Sequence, residues 1–218
     1  MIWRIAICLI VGYVFGCIST GYIVGKFQKV DIRKYGSGNV GTTNALRTLG
    51  KKAALITLLG DVFKCAIPVV LIKFVFFKDI PYADLLGLYT ALGAVLGHTF
   101  PFYLKFKGGK GIAVLVGTIL TFDWRIFLIC VATFFVILAI TRFVSLGSLV
   151  MEVLFVIWVA VTRPGDWHML ALSLVFAVLA FYTHRENIKR LLSGTENKIG
   201  QKVKIDTEDK KEDKPEGQ

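Results

Sequence analysis

Long apolar blocks, each closed by a short polar or basic stretch, alternate along most of this chain. They fall near residues 2–25, 53–77, 84–103, 143–162 and 166–183. A bilayer core about 30 Å thick takes roughly 20 apolar helical residues to cross, so each block is read as a transmembrane helix. Region 111–140 is less simple. Gly111 to Phe122 is apolar, Asp123-Trp124-Arg125 interrupts, and Ile126 to Ile140 is apolar again. It reads either as one long span with charges inside it or as two short spans around a tight turn.

The positions of Lys and Arg separate these alternatives. Two short spans make seven helices. Loops 26–52, 103–110 and 141–145 and the segment 184–218 then share one side and hold 20 of the 26 Lys and Arg residues. The other side holds 4 (Arg4, Lys78, Arg125 and Arg163), while Lys64 and Lys73 lie within the second span. One long span divides them 11 to 12 and strands Arg125 in lipid. Cytoplasmic loops carry the excess of Lys and Arg. The expectation is an all-α polytopic membrane protein with seven transmembrane helices, its N-terminus outside and its C-terminus cytoplasmic. The short fourth and fifth helices must then tilt or meet a thinned bilayer.

Composition agrees. Of 218 residues 55% are hydrophobic, above the 45–50% usual in soluble domains. The apolar stretch from Ile5 to Gly25 has no convincing small-residue cleavage site and reads as a retained first span, not a removed signal. Cys8, Cys17, Cys65 and Cys130 each fall inside an apolar block with no C-x-x-C spacing, as expected of buried free thiols. Residues 1–200 form one membrane domain. Residues 201–218 are rich in Lys, Asp and Glu, with Val203 and Ile205 the only strongly apolar side chains, and are expected to be a disordered cytoplasmic tail. A net charge of +11 points to anionic partners. Because the basic residues adjoin the spans, lipid headgroups and phosphorylated substrates fit better than nucleic acid.

The chemistry gathers in the loops of the basic side. Gly36-Ser37-Gly38-Asn39-Val40-Gly41-Thr42-Thr43-Asn44 sets short hydrogen-bonding side chains among three glycines, which allow close approach of backbone to an anion. Arg47 follows at a spacing that suits a helix start and can hold a phosphate bidentately. Gly36 to Gly41 matches G-x-G-x-x-G, but an apolar span precedes it where a dinucleotide fold needs a strand. Lys107-Gly108-Gly109-Lys110-Gly111 leads into the fourth span, and its glycines are expected to turn backbone N–H groups toward an anion beside Lys110. It lacks Walker-loop spacing. The third loop offers Arg142 and Ser145. The fourth opens with His184, a group able to act as a base at neutral pH, with Asn187 at i+3 on the same helical face, and runs through Arg190 to Glu196. Asp61 and Lys64, at i and i+3 within the second span, form either a functional or a self-neutralised pair. His98 closes the third span.

The runs GSGNVGTTNALRTLG, GHTFPFYLKFKGGKG, TRFVSL and HRENIKRLLSGTENKIG occur in this order over nearly the whole chain up to about Gly200. They resemble the bacterial acyl-phosphate:glycerol-3-phosphate acyltransferases, the PlsY-type integral membrane family. The resemblance implies seven helices, an outward N-terminus and a multi-pass protein of the bacterial cytoplasmic (inner) membrane with its active site on the cytoplasmic face. It implies transfer of a fatty acyl chain from acyl phosphate to glycerol 3-phosphate, giving lysophosphatidic acid and phosphate, an early step of phospholipid synthesis. Hand-over of acyl phosphate from a soluble enzyme is a further expectation. Carried onto this chain, the catalytic group is Ser37, Lys110, His184 and Asn187. The substrate-binding group is Asn39, Thr43, Asn44, Arg47, Lys107, Gly108, Gly109 and Ser145, although the surrounding motif also allows Ser148 in place of Ser145. Thr42 stands where the family usually has alanine. An acyl phosphate is already activated, so no cofactor or metal is expected. The protein must supply positioning, cations for two phosphates and donors for an oxyanion. The hydroxyl proton could go to His184 or to a substrate phosphate oxygen. The H-x-x-x-x-D pair of soluble-type glycerolipid acyltransferases is absent, since Tyr103, Ser173 and Lys189 lie five residues after the histidines.

Two other classes compete with this one. An organic-anion transporter should show internal repeats and polar clusters at the midplane, and Asp61 with Lys64 is all the sequence offers there. A non-catalytic scaffold leaves the glycine-rich polar loops unexplained.

Overall fold

The computed structural model describes residues 1–201. Apart from Gln201, the charged tail expected to be disordered lies outside the described residues. Among those residues the regular structure is entirely helical.

The first apolar block is divided where a continuous span was expected. Helix α1 (Ile2–Gly16) ends, and α2 (Thr20–Phe27) starts after a short break. Tyr103 holds that break: its hydroxyl donates to the Cys17 carbonyl at 2.7 Å and accepts from the Ser19 amide at 3.3 Å. Short α3 (Thr42–Thr48) lies in the first loop. Helix α4 (Lys51–Leu71) continues as a π-helical turn, Ile72–Phe76. Helix α5 (Ala83–Thr99) is the most enclosed span. It packs along α1 with the two backbones almost touching: a Cβ at Gly12 would lie 1.9 Å from the Thr90 carbonyl oxygen, and one at Gly97 2.2 Å from that of Tyr13. Small residues permit such close helix contact in lipid.

Region 111–140 is two helices, α6 (Ile112–Phe122) and α7 (Trp124–Thr141), with an extended Asp123 between them. Asp123 accepts from the Arg125 amide at 2.9 Å, pairs with the Arg125 guanidinium at 2.7 Å and accepts from Trp158 Nε1 at 3.3 Å. An aspartate in this position satisfies the orphan amides of a helix start, so the charges that interrupt the apolar pattern build the turn. Helices α8 (Val144–Thr162), α9 (Trp167–Thr183) and α10 (Arg185–Leu192) complete the chain.

Five segments are long and apolar enough to cross a membrane: Ile2–Phe27, Lys51–Phe76, Ala83–Leu104, Trp124–Thr141 and Val144–Thr162. Helix α9 joined to α10 across a 63° bend makes a sixth, and α6 is a shorter apolar helix. Apolar side chains such as Phe135 and Ile140 of α7 stay exposed, as expected of a lipid-facing surface. All four cysteines are buried and free.

The two ends of the bundle differ. At one end Lys73 Nζ meets Asp84 at 2.8 Å and the Thr121 carbonyl at 2.8 Å, and Arg163 meets Asp84 at 2.9 Å. This ties the end of α4 to the start of α5 and the ends of α6 and α8. The glycine-rich loops and the starts of α6, α8 and α10 occupy the opposite end.

Candidate active site

The first loop winds around Asn44. Its Nδ2 donates to the carbonyls of Ile32 and Tyr35 at 3.1 Å each and of Asn39 at 2.8 Å, and its Oδ1 accepts from the Ser37 amide at 3.0 Å. The chain can pass so close only because Gly36 has φ +62° and no Cβ, which would lie 2.3 Å from Asn44 Oδ1. The Asn44 amide is therefore fully engaged in shaping the loop, and its place in the site is to hold Ser37 and Asn39. Asn39 Oδ1 accepts from the Gly41 amide at 2.8 Å. Ser37 is exposed and Thr43 half-buried. Arg47 lies in the last turn of α3, not at a helix start as its spacing suggested.

The second loop corrects a further expectation. The Gly108 amide donates to the Thr99 carbonyl and the Gly109 amide to the His98 carbonyl, both at 3.0 Å. These N–H groups face inward to the end of α5 and are not turned to an anion. Their bonds fix the exit of the loop, where Lys110 stands half-buried just before α6 and Lys107 stays exposed.

Lys110 is drawn into a cluster centred on Glu196. Its ammonium donates to Asn187 Oδ1. Asn187 Nδ2 donates to Glu196 Oε1 at 2.7 Å, Ser145 Oγ to the same oxygen at 2.8 Å, and Arg190 Nε to Glu196 Oε2 at 2.8 Å. Thr183 Oγ1 donates to the Lys110 carbonyl at 3.2 Å. Helices α8 and α10 thus meet at one carboxylate, and the second loop joins them through Lys110 and Asn187, with α9 held to that loop by Thr183. Ser148 does not join them, because its hydroxyl donates to Val144 of its own helix. Ser145 is the serine that faces the cluster.

Charge follows this geometry. Burial lowers the Lys110 pKa to about 8: Glu196 opposes the shift, while Arg190 and Arg47 add to it. Burial also lowers that of Arg47, again with Glu196 opposing and Arg190 adding. Burial pushes the Glu196 carboxyl up, but bonds from Asn187, Ser145 and Arg190 outweigh it and hold it below the ordinary value. Burial, aided by Lys110, brings the His184 pKa down to about 4. The ring is uncharged at neutral pH, and Nδ1 donates to the Ala180 carbonyl at 2.8 Å. That bond leaves Nε2 as an acceptor. Three cations around one carboxylate leave an electrostatic excess suited to a phosphate.

The predicted residues Lys110, Ser145 and Asn187 are joined by contact, and Arg47 shares their field. No bond among the described residues links Ser37, Asn39 or Thr43 to Glu196. Neither Glu196 nor Arg190 has a role assigned from the sequence. The available signal was an acid, one of two with Glu186, within an otherwise basic segment beside the apolar blocks. Among the described residues no group of three His, Cys, Asp or Glu side chains could hold a metal ion.

The sequence model of the family described as glycerol-3-phosphate acyltransferase matches residues 6–194. The chain belongs to that family. It is 44% identical over 209 residues to a glycerol-3-phosphate acyltransferase of Clostridioides difficile, covering 92% of this chain and 98% of that one. With the enzyme of that name from Thermoanaerobacter pseudethanolicus the identity is 42% over 197 residues, covering 90% and 96%. The one from Bacillus subtilis is 39% identical over 196 residues, covering 89% and 97%. Two crystal structures of an integral membrane glycerol 3-phosphate acyltransferase, PlsY, superpose on the fold. The glycerol 3-phosphate form has a TM-score of 0.82 at 33% identity, and the lysophosphatidic acid form 0.79 at 32%. Both alignments cover 90% of this chain and 96% of the other. The apolar helices and these relatives make the chain a multi-pass membrane protein.

Proposed function

We infer that this protein is a membrane acyltransferase that acylates glycerol 3-phosphate to lysophosphatidic acid. The observation that carries the reading is the cluster of Arg47, Lys110 and Arg190 about Glu196, in a member of the glycerol-3-phosphate acyltransferase family. Acyl phosphate is the proposed donor. The acceptor hydroxyl attacks the acyl carbonyl carbon, a new C–O ester bond forms, and the acyl–phosphate C–O bond breaks with its electron pair leaving on phosphate. Lys110 and Arg47 hold phosphoryl groups, with Ser37, Asn39 and Thr43 as hydrogen-bonding partners at the loop surface. His184 Nε2 accepts a hydrogen bond from the attacking hydroxyl. With a pKa of about 4 the imidazole is a poor final resting place for the proton. The departing phosphate, whose second pKa lies near the working pH, takes it instead.

The proposed setting is the bacterial inner membrane, crossed seven times, with the site on the cytoplasmic face and the N-terminus outside. The division of Lys and Arg supports this. So does the arrangement of α6 and α7 as separate helices, with Lys110, Ser145 and Asn187 at one end of the bundle and Thr121, Asp84 and Arg163 at the other. A soluble enzyme that makes acyl phosphate would deliver the donor to this face.

Purified protein given glycerol 3-phosphate should form lysophosphatidic acid with palmitoyl phosphate as donor, and should do so in EDTA. Full activity with palmitoyl-CoA alone, or complete loss in EDTA, would overturn the donor assignment.

A further inference from the structure

Beneath the second loop lies a buried polar cluster for which the reaction has no evident use. Asp61 and Lys64 of α4 and His98 of α5 are each at least 95% enclosed. The Lys64 ammonium has three protons and three acceptors, all at 2.8 Å: the Ile18 carbonyl, Asp61 Oδ1 and His98 Nδ1. An ammonium donates and cannot accept, so His98 Nδ1 must bear a lone pair. The tautomer is thereby fixed with its proton on Nε2. That edge of the ring lies under Gly109: a Cβ there would be 2.0 Å from Nε2 and 2.6 Å from Cε1. The His98 carbonyl accepts the Gly109 amide as well. His98 is thus the floor on which the loop turns immediately before Lys110, and Lys64 sets the angle of that floor.

The Ile18 bond adds a third element. Ile18 sits in the break between α1 and α2, where its carbonyl is freed from a helical ladder. Three segments far apart in sequence therefore converge on one ammonium, and the ammonium acts on the loop through a single ring. A self-neutralised pair needs neither the histidine nor the free carbonyl. An ion pair taken out of water costs more than well-packed apolar side chains of the same size unless it is fully bonded. This pair instead sets its ammonium against the ring that floors the second loop.

We propose that Asp61, Lys64 and His98 form a buried positioning relay that sets the height and angle of Gly108–Gly109, and hence of Lys110, from within the membrane. The proposal rests on the activity inferred above. None of the three touches substrate; each acts through the loop.

The test is a double-mutant cycle between His98 and Gly109, with the wild-type turnover measured first. In the wild-type background Gly109→Ala drives a methyl into the ring and lowers kcat/KM. In the His98→Ala background the same methyl enters vacated space. Residues in contact couple by up to a few kcal/mol, so the effect of Gly109→Ala should shrink by about tenfold in that background. Equal losses in both backgrounds would overturn the relay. Asp61→Asn/Lys64→Met, which leaves no lone buried charge, should raise KM for a phosphorylated substrate far more than it lowers kcat. A merely structural role lowers kcat with the folded fraction and leaves KM alone, and that result also refutes the proposal. Independent of turnover, nitrogen-15 histidine spectra should show His98, assigned by the loss of its signal in His98→Asn, protonated at Nε2 and not at Nδ1. An Nδ1-protonated His98 rejects the relay even if the activity holds. A wild-type protein that makes no lysophosphatidic acid rejects the activity and leaves the tautomer measurement to decide the geometry.

Discussion

Replacing Lys110 by methionine keeps the length and apolar stem of the side chain and removes its charge. In the structure this deletes the donor to Asn187 Oδ1 and one of the three cations around Glu196, while Arg190 remains on Glu196 Oε2 at 2.8 Å. The carboxylate keeps its bonds from Ser145 and Asn187, so the fold should survive. Losing a charged partner for an enclosed anion costs on the order of 2–5 kcal/mol. At about 1.4 kcal/mol per decade, kcat/KM should fall by about 30-fold to about 4,000-fold. The pH profile adds a second, sharper signature. The free-enzyme pKa of Lys110 is lowered to about 8, so the ammonium is present below that pH and is lost as pH rises through it. An anion binds the protonated form, and kcat/KM reports groups of the free enzyme. The wild-type profile should therefore decline above pH 8. His184, already neutral above about 4, adds no acid limb between pH 5 and 8. Lys110→Met should lack the alkaline decline, and Lys110→Arg should move it upward while restoring part of the activity. The assay is initial-rate phosphate release across pH in detergent, with inorganic phosphate background subtracted. A methionine variant with wild-type kcat/KM, or one with the same alkaline limb, would refute the assignment of Lys110 as a phosphate cation.

Further expectations concern the hub and the topology. Glu196→Gln strips the charge that gathers Asn187, Ser145 and Arg190. Breaking a buried pair costs about 3–5 kcal/mol, and the half-open Arg190 puts this case at the lower end, so thermal unfolding should shift down along with activity; an unchanged midpoint removes Glu196 as organiser of the site. Ser145→Ala should cost about 1.5–3 kcal/mol in stability or kcat/KM, as for a hydrogen bond to a charged group, whereas Ser148→Ala should be close to neutral; the reverse order would exchange their roles. Single cysteines at Lys51 and Lys105, in a background without the four native cysteines, should be shielded from an impermeant thiol reagent in intact cells, and one at Asp79 or Asp166 should be labelled. Labelling at both Lys51 and Asp79 would contradict the proposed sidedness.

The helices were legible because lipid imposes a simple rule: every buried backbone group must be paired within its own segment, so apolar length reads directly as helix. Asp123 and Arg125 show how far that rule reaches. Their charges interrupted an apolar run, and the structure turns the chain at that point. The break after Gly16 was not legible, since the group that stabilises it, the Tyr103 hydroxyl, lies over eighty residues away. Glu196 was missed for the same reason: its meaning depends on Ser145, 51 residues distant, and on the bend that brings Asn187 and Arg190 to it. For Asn44 the sequence shows the polarity of an amide but not its partners, which in the structure are all backbone groups of its own loop. The glycines of the second loop were expected to turn their N–H groups toward an anion, whereas the amides of Gly108 and Gly109 bond to the carbonyls of Thr99 and His98.

The measurement that bears most directly on the central claim is the stoichiometry of a single turnover assay with purified protein, palmitoyl phosphate and glycerol 3-phosphate. Lysophosphatidic acid and inorganic phosphate should appear together in equal amounts; both should vanish when glycerol 3-phosphate is omitted, and both should form at least about 30-fold more slowly when Lys110 is replaced by methionine. Phosphate released at the same rate without glycerol 3-phosphate, or acceptor consumed with no acylated product, would contradict the account.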